Sequence, residues 1–237
     1  MNRKRLVMVG NGMAGVRTLE ELLKIAPEQY EITVFGTEPH PNYNRILLSP
    51  LLAGEMTIEQ IILNDRQWYA DHGITLHLGK TVSTIDRVRR RVITDDGLEA
   101  PYDRLLLATG SRPFMLPVPG NDLPGVISYR DIADTEQMID AARRYRHAVV
   151  IGGGLLGLEA ANGLKARGMD VTVVHLADWL LERQLDATAG RMLQKSLEER
   201  GLKFLLGKQT ELLIAGESGR VAALRLKDGL QIPADLV

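Results

Sequence analysis

The chain alternates short apolar runs that run into glycine turns with longer stretches whose apolar residues recur every three or four positions. Residues 6–9 form the first run and end at Gly10, and residues 13–25 then carry Val16, Leu19, Leu22 and Leu23 at helical spacing. Residues 31–35 alternate as a second strand. Strand, helix and strand in this order predict a parallel pair joined by a crossover helix. The same succession returns at 147–151, 156–167 and 171–174. This internal repeat makes two matching units the central expectation for the fold.

Between the two copies the pattern shortens. Residues 47–52 and 65–71 read as short helices, and 75–78, 81–85, 92–94 and 104–107 as short strands with Asp95-Asp96-Gly97 as a turn. These four strands predict a small antiparallel sheet inserted before the main fold resumes. Residues 111–125 hold Pro113, Pro117, Pro119 and Pro124, which argues against continuous helix or central strand and marks a domain crossing. Further helices are expected at 131–144 and 185–200, and strands at 204–206 and 221–226, with another strand beginning at 235–237. The expected fold class is α/β and three-layered, with one domain over 1–115 and a second, C-terminally incomplete, over 116–237.

Composition narrows the chemistry by exclusion. No apolar run approaches the roughly 18 residues of a membrane-spanning helix, so no membrane partner is expected. A net charge of -1 supplies no positive field to recruit nucleic acid or an anionic bilayer. Cysteine is absent, which excludes a disulfide framework, a C-x-x-C redox pair and thiolate ligation of zinc or iron-sulfur clusters by this chain. Any redox chemistry therefore needs a bound cofactor. The basic start Asn2-Arg3-Lys4-Arg5 leads into a short apolar run and a glycine turn instead of a signal-peptide core, and the expected location is cytoplasmic. His40, His72, His77 and His147 lack metal-ligand spacing, so no metal is assigned. The arginines at 87 and 89–91 read as a solvated face. No catalytic side chain is assigned, because no paired-carboxylate or nucleophile-base pattern stands out.

The chemistry-bearing feature is a glycine fingerprint that occurs twice. Gly10-Asn11-Gly12-Met13-Ala14-Gly15 fits G-x-G-x-x-G between a strand and a helix. One glycine permits the tight turn, one lets the backbone approach a pyrophosphate, and one allows close helix packing, while N–H groups at the helix start bind phosphate. Glu38 follows at the end of the next strand, about twenty residues on, where a ribose-binding carboxylate belongs. Gly152-Gly153-Gly154-Leu155-Leu156-Gly157 is the second copy, and there the carboxylate position holds His175. An acidic residue would favour the ribose diol of NADH and a nearby arginine the 2′-phosphate of NADPH; His175 is neither, with Asp178 and Arg183 as substitutes. NADH is weakly favoured.

With both fingerprints in place, Leu105-Leu106-Leu107-Ala108-Thr109-Gly110 resembles the apolar strand and A-T-G motif that closes the first FAD segment of two-dinucleotide-binding oxidoreductases, a pyridine nucleotide-disulfide oxidoreductase-like family, here without redox cysteines. The resemblance implies tandem Rossmann-like domains, the first holding FAD and the second NAD(P)H. It carries Arg45 over to the FAD site, counts Ser49 among the cofactor-binding residues, makes the Val82 backbone a contact for adenine or an ordinary sheet residue, and places Glu159 of the G-x-E motif near the nicotinamide carboxamide. Pro50 stands where relatives have lysine or a redox cysteine, which argues against either chemistry.

A narrower likeness runs from Pro41 to Glu55, through Val171 to Leu176 and through Glu182-Arg183-Gln184-Leu185-Asp186, which together resemble the N-terminal region of the large subunit of assimilatory NAD(P)H-dependent nitrite reductases. That resemblance implies hydride passage from NAD(P)H to FAD, onward passage to an electron-acceptor domain or protein, and reduction of nitrite to ammonium. Sirohaem and iron-sulfur centres would then lie in downstream segments missing from this chain or in another protein. A stand-alone rubredoxin or ferredoxin reductase and a non-catalytic, redox-sensing nucleotide-binding module stay open as alternatives, and a homodimer is compatible with each.

Overall fold

The computed structural model describes residues 3–237, so Asn2 of the basic start lies outside the described residues. By contacts the chain divides into two compact units, residues 3–45 with 59–112, and residues 46–58 with 113–237.

In the first unit β1 (Lys4–Val9), α1 (Met13–Ile25), β2 (Tyr30–Gly36) and β3 (Asn42–Tyr43) follow in order. After α2 (Leu48–Ala53) and α3 (Ile58–Ile61) come β4 (Ile62–Asn64), α4 (Arg66–Asp71), β5 (Thr75–Leu78), β6 (Val82–Asp86), β7 (Arg91–Thr94), β8 (Glu99–Pro101) and β9 (Arg104–Leu107). The main sheet is parallel in the order β5-β2-β1-β9. Leu6 and Met8 point to one face and pack with Val16, Leu19 and Tyr69 of the helices. Val7 and Val9 point to the other and pack with Phe35, Val92 and Tyr102. Both faces of β1 are covered, which is why its sequence is a continuous apolar run rather than an alternation.

The antiparallel sheet covering the second face is β6-β7-β8. Two of the strands expected in it, 75–78 and 104–107, instead pair in parallel with β2 and β1 as β5 and β9. A short apolar run specifies a strand without specifying its partner. The missed third strand, β8, contains Pro101 and lies at the sheet edge, where a residue without an N–H is tolerated.

The second unit repeats this plan. It contains α5 (Ile132–Arg144), β10 (His147–Ile151), α6 (Leu155–Ala166), β11 (Asp170–Val174), α7 (Ala187–Glu199), β12 (Lys203–Leu205), β13 (Thr210–Ala215), β14 (Val221–Leu226) and β15 (Gln231–Pro233). Asp131 and Asp186 cap α5 and α7 by accepting from the N–H groups of Asp134 and Ala189 at 2.8 Å each. The sheet β10-β11-β12 is parallel, and Leu236 bridges in parallel to Ala148 on the far side of β10. Ala148, Val171 and Val173 face the helical layer, whereas Val149 and Val174 face the antiparallel sheet β13-β14-β15 through Leu213, Leu224 and Leu226. Only β14 of that sheet was expected from the sequence.

The short helix α2 belongs to this second unit. Leu52 packs where Gly163 of α6 leaves room, since a Cβ on Gly163 would come within 2.6 Å of Leu52 Cγ. Arg167 donates from Nε to the Leu52 carbonyl at 2.6 Å and from Nη2 to the Leu51 carbonyl at 3.2 Å, satisfying carbonyls at the carboxyl end of α2. Residues 46–58 thus leave the first unit, in contrast to the contiguous division at 115/116, while the last crossing, between Arg112 and Pro113, falls in the proline-rich stretch. Among the described residues no helix is long and apolar enough to cross a membrane.

Asp103 ties the start of β9 to β1 by accepting from the Arg5 backbone N–H at 2.8 Å and from its guanidinium Nη2 at 3.0 Å. The Arg5 side chain, with its backbone N–H, lowers the Asp103 carboxyl from 3.8 to about 2. A depressed folded pKa gives stability that is present above the unfolded value and lost as pH falls through the folded one. Asp103→Asn is therefore expected to lower the melting temperature at neutral pH and to change it little at about pH 2. Circular-dichroism melts at both pH values check this, and an equal loss at each would count against the pair.

Candidate functional site: two glycine turns at the ends of parallel strands

The first turn sits where the strand order reverses. From β1 the chain fills the sheet outward through β2 and β5, then returns to β9 on the other side of β1. Ligands of open α/β sheets bind at such a reversal, beyond the carboxyl ends of the strands. Gly10 takes φ +105°, and a Cβ there would lie 2.1 Å from the Ala108 carbonyl oxygen. Gly15 packs as tightly, with a Cβ position 2.8 Å from Ala108 Cβ and 2.9 Å from Met8 Sδ. Ala108 donates its N–H to the Val9 carbonyl at 2.8 Å, so the A-T-G segment of Ala108, Thr109 and Gly110 lies against the turn.

Gly12 behaves differently. It is the extended N-cap of α1, no side chain caps it, and a Cβ there would meet nothing within 4 Å. The amino end of α1, with Met13, Ala14 and Gly15 in its first turn, is an open cradle for an anion.

The end of β2 gathers the other predicted residues of this unit. Glu38 accepts from the Tyr43 hydroxyl at 2.6 Å and from the Arg45 guanidinium, which lies 5.0 Å over the Tyr43 ring. Gly79 donates to the Glu38 carbonyl at 3.1 Å and Lys80 to the Gly36 carbonyl at 2.9 Å. Lys80-Thr81-Val82 therefore leaves from beside Glu38 into β6, where Val82 pairs with Thr94.

Two polar residues that carry no role in the sequence motifs brace the first turn. Tyr69 donates its hydroxyl to Asn11 Oδ1 at 2.7 Å, and Asn42 donates from Nδ2 to the Asn11 carbonyl at 3.1 Å. Burial raises the Tyr69 phenol to about 12, so it remains a donor at neutral pH. The signal available was the polar residue inside the fingerprint itself, which needs partners once buried.

The second turn has the same division of labour. Gly152 takes φ +120°, and a Cβ on Gly157 would lie 2.1 Å from the Gly152 carbonyl oxygen. Gly154 is the extended N-cap of α6, without a side-chain cap and with open space at its Cβ position. Leu155 and Leu156, exposed at 61% and 53%, flank the open helix end. His175 is buried at the end of β11, where its Nδ1 accepts from the Gly153 N–H at 3.0 Å and its Nε2 meets Glu182 Oε2 at 3.0 Å.

Ser49 and Glu159 are brought together within the second unit. Ser49 Oγ donates to Glu159 Oε2 at 2.6 Å, and Tyr129, unremarked in the sequence, donates its hydroxyl to Ser49 Oγ at 3.3 Å. Burial raises the Tyr129 phenol against the opposing pull of its Ser49 bond, and the Glu159 charge adds to the rise. The carboxylate of the G-x-E motif is thus oriented by a chain of two hydroxyls, with Pro50 beside it.

Comparison with known proteins shows the family and the fold. A family model described as pyridine nucleotide-disulphide oxidoreductase matches residues 4–237. A nitrite reductase (NAD(P)H) of Bacillus subtilis (strain 168) is 57% identical over 237 residues, covering 100% of this chain and 29% of the relative. The assimilatory nitrate reductase electron transfer subunit of the same organism is 49% identical, covering 100% of this chain and 30% of the relative. Among solved structures, the covalent putidaredoxin reductase-putidaredoxin complex superposes with a TM-score of 0.91 at 32% identity, over 100% of this chain and 58% of the matched one. The chain thus spans about a third of the length of these curated relatives.

The contrast between the glycines is directly testable. Gly157→Ala, which places a methyl 2.1 Å from a carbonyl oxygen, is expected to cost at least ~2 kcal/mol in urea unfolding. Gly154→Ala, with open space at the same atom, is expected to cost less than ~1 kcal/mol.

Proposed function

The chain belongs to the pyridine nucleotide-disulphide oxidoreductase family, and from that premise we propose that it holds FAD at the first glycine turn and NAD(P)H at the second, as an FAD-dependent NAD(P)H oxidoreductase. The observation that carries the reading is the pair of uncapped helix amino ends, each entered through an N-cap glycine with vacant space at its Cβ position. Two dinucleotides carry two diphosphates, and the chain offers one cradle to each.

At the first turn, Gly10, Gly12 and Gly15 admit the pyrophosphate to the N–H groups of Met13 and Ala14. The Glu38 carboxylate, held by Tyr43 and Arg45, retains acceptor capacity for a ribose diol. Val82 lies in the segment that leaves from beside Glu38, in position for an adenine, and the backbone of Ala108, Thr109 and Gly110 walls the turn. At the second turn, Gly152, Gly154, Leu155, Leu156 and Gly157 receive the nicotinamide nucleotide, and Glu159, oriented by Ser49 and Tyr129, accepts from the carboxamide.

When bound, FAD supplies the two-electron acceptor that takes hydride from the nicotinamide C4 and releases electrons onward. The protein's contribution is positioning and a fixed polar environment, with no proton transfer by a side chain required. Because the sequence has no cysteine, electrons do not leave through a thiol of this chain. The 57% identity to a nitrite reductase favours nitrite as the final acceptor, reduced to ammonium in nitrate assimilation in the cytoplasm. Sirohaem and iron-sulfur centres would then be held outside this sequence. The likeness to a putidaredoxin reductase supports a second reading, in which a separate iron-sulfur protein takes the electrons.

Anaerobic titration tests the core of the proposal. The chain reconstituted with FAD is expected to bleach at the flavin bands on addition of NADH. Gly12→Ala is expected to weaken FAD binding at least ~10-fold, as read by quenching of flavin fluorescence, with the nicotinamide site intact. Gly154→Ala is expected to retain FAD and to lose most of the reduction by NADH. Bleaching that survives both substitutions would overturn the assignment of the two turns.

A further inference from the structure

The second turn lacks an acidic residue at the end of β11, yet the structure returns one to that place from seven residues downstream. The Gly153 N–H can only donate, so His175 Nδ1, 3.0 Å away, must be the acceptor, and the ring is the neutral tautomer with its proton on Nε2. That proton is donated to Glu182 Oε2 at 3.0 Å. The backbone makes a second tie, because Leu181 donates its N–H to the Gly153 carbonyl at 3.1 Å. Leu181 takes φ +54°, a left-handed conformation that a leucine adopts only when its surroundings impose it. Gly153 itself has no room for a side chain, since a Cβ would lie 2.8 Å from both the His175 ring and Leu180.

Gly153 is therefore clasped through its N–H and its carbonyl, and the clasp sets the Glu182 carboxylate one imidazole ring away from the turn. The carboxyl lies below its ordinary range, chiefly through its own backbone N–H and then through His175, so it is ionised at neutral pH. Its bonds to His175 and to that N–H leave acceptor capacity on the carboxylate. Arg183 is the adjacent cation, exposed and with a charge that reaches Glu182.

We infer that Glu182, positioned by His175, is the residue that selects NADH over NADPH: its carboxylate accepts from the adenosine ribose hydroxyls and repels a 2′-phosphate. This rests on the reading of the second turn as the nicotinamide nucleotide site. Arg183 is then the element that the Glu182 charge must outweigh, since a lone arginine at this place would welcome the phosphate.

Calorimetric titration with ADP-ribose and 2′-phospho-ADP-ribose tests this without flavin or turnover. The unmodified chain is expected to bind ADP-ribose at least ~10-fold more tightly. Glu182→Gln, a substitution at an exposed side chain, is expected to bring the two affinities within ~3-fold by strengthening 2′-phosphate binding, and Glu182→Arg to reverse the order. His175→Ala is expected to erode the same ratio, and to add little in the Glu182→Gln background, which a merely structural histidine would not do. If neither ligand binds, the nucleotide site itself is misassigned. If both bind but Glu182→Gln leaves the ratio unchanged, the site stands and Glu182 is not its selector.

Discussion

In each unit the backbone must leave a buried parallel strand and enter a helix through a turn that has no room for a side chain. At Gly10 the obstacle is the Ala108 carbonyl, and at Gly157 it is the carbonyl of Gly152, in each case 2.1 Å from where a Cβ would stand. These close approaches fix the direction of α1 and α6. With the helix direction fixed, the N-cap glycines Gly12 and Gly154 are left facing open space, and the N–H groups of the first turn are left uncapped, the surface proposed to hold phosphate. Packing on one side of the turn and vacancy on the other are the same constraint seen from two directions.

The surrounding side chains then adjust what the turns hold. Around the first, Tyr69, Asn42, Tyr43 and Arg45 are spent on bracing Asn11 and Glu38. Around the second, His175 takes over the role of brace, and two hydroxyls from distant parts of the chain, Ser49 and Tyr129, orient Glu159. The two turns share a backbone plan and differ in their polar wiring, which suits the two different cofactors proposed for them.

Much of this was legible in the sequence because it is written in local terms. Residues 13–25 and 147–151 match their observed elements to the residue, since a glycine turn and a helical or apolar pattern are short-range signals. Pairing is long-range and is not written in local pattern: 75–78 and 104–107 are strands, but of the parallel sheet. Of the sheet β13-β14-β15 only β14 is legible in the sequence, and β15 is three residues long and ends in proline. At the sites, the glycines, Glu38, Arg45, Ser49 and Glu159 were accessible from motif and resemblance. Tyr129 and Tyr69 are not, because each reaches its partner across a large gap in sequence.

The excursion of residues 46–58 into the second unit bears on how the protein can be taken apart. The polypeptide passes between the units at 45/46, at 58/59 and again at 112/113, so neither unit is a single continuous length of chain. Cutting at the proline-rich stretch would strip α6 of Leu52 and leave the Arg167 guanidinium without the carbonyls it caps. Anyone exchanging one unit for another would have to transplant a thirteen-residue passenger with it, and recombination between relatives faces the same linkage: inheritance of the second unit requires a stretch of coding sequence that interrupts the first.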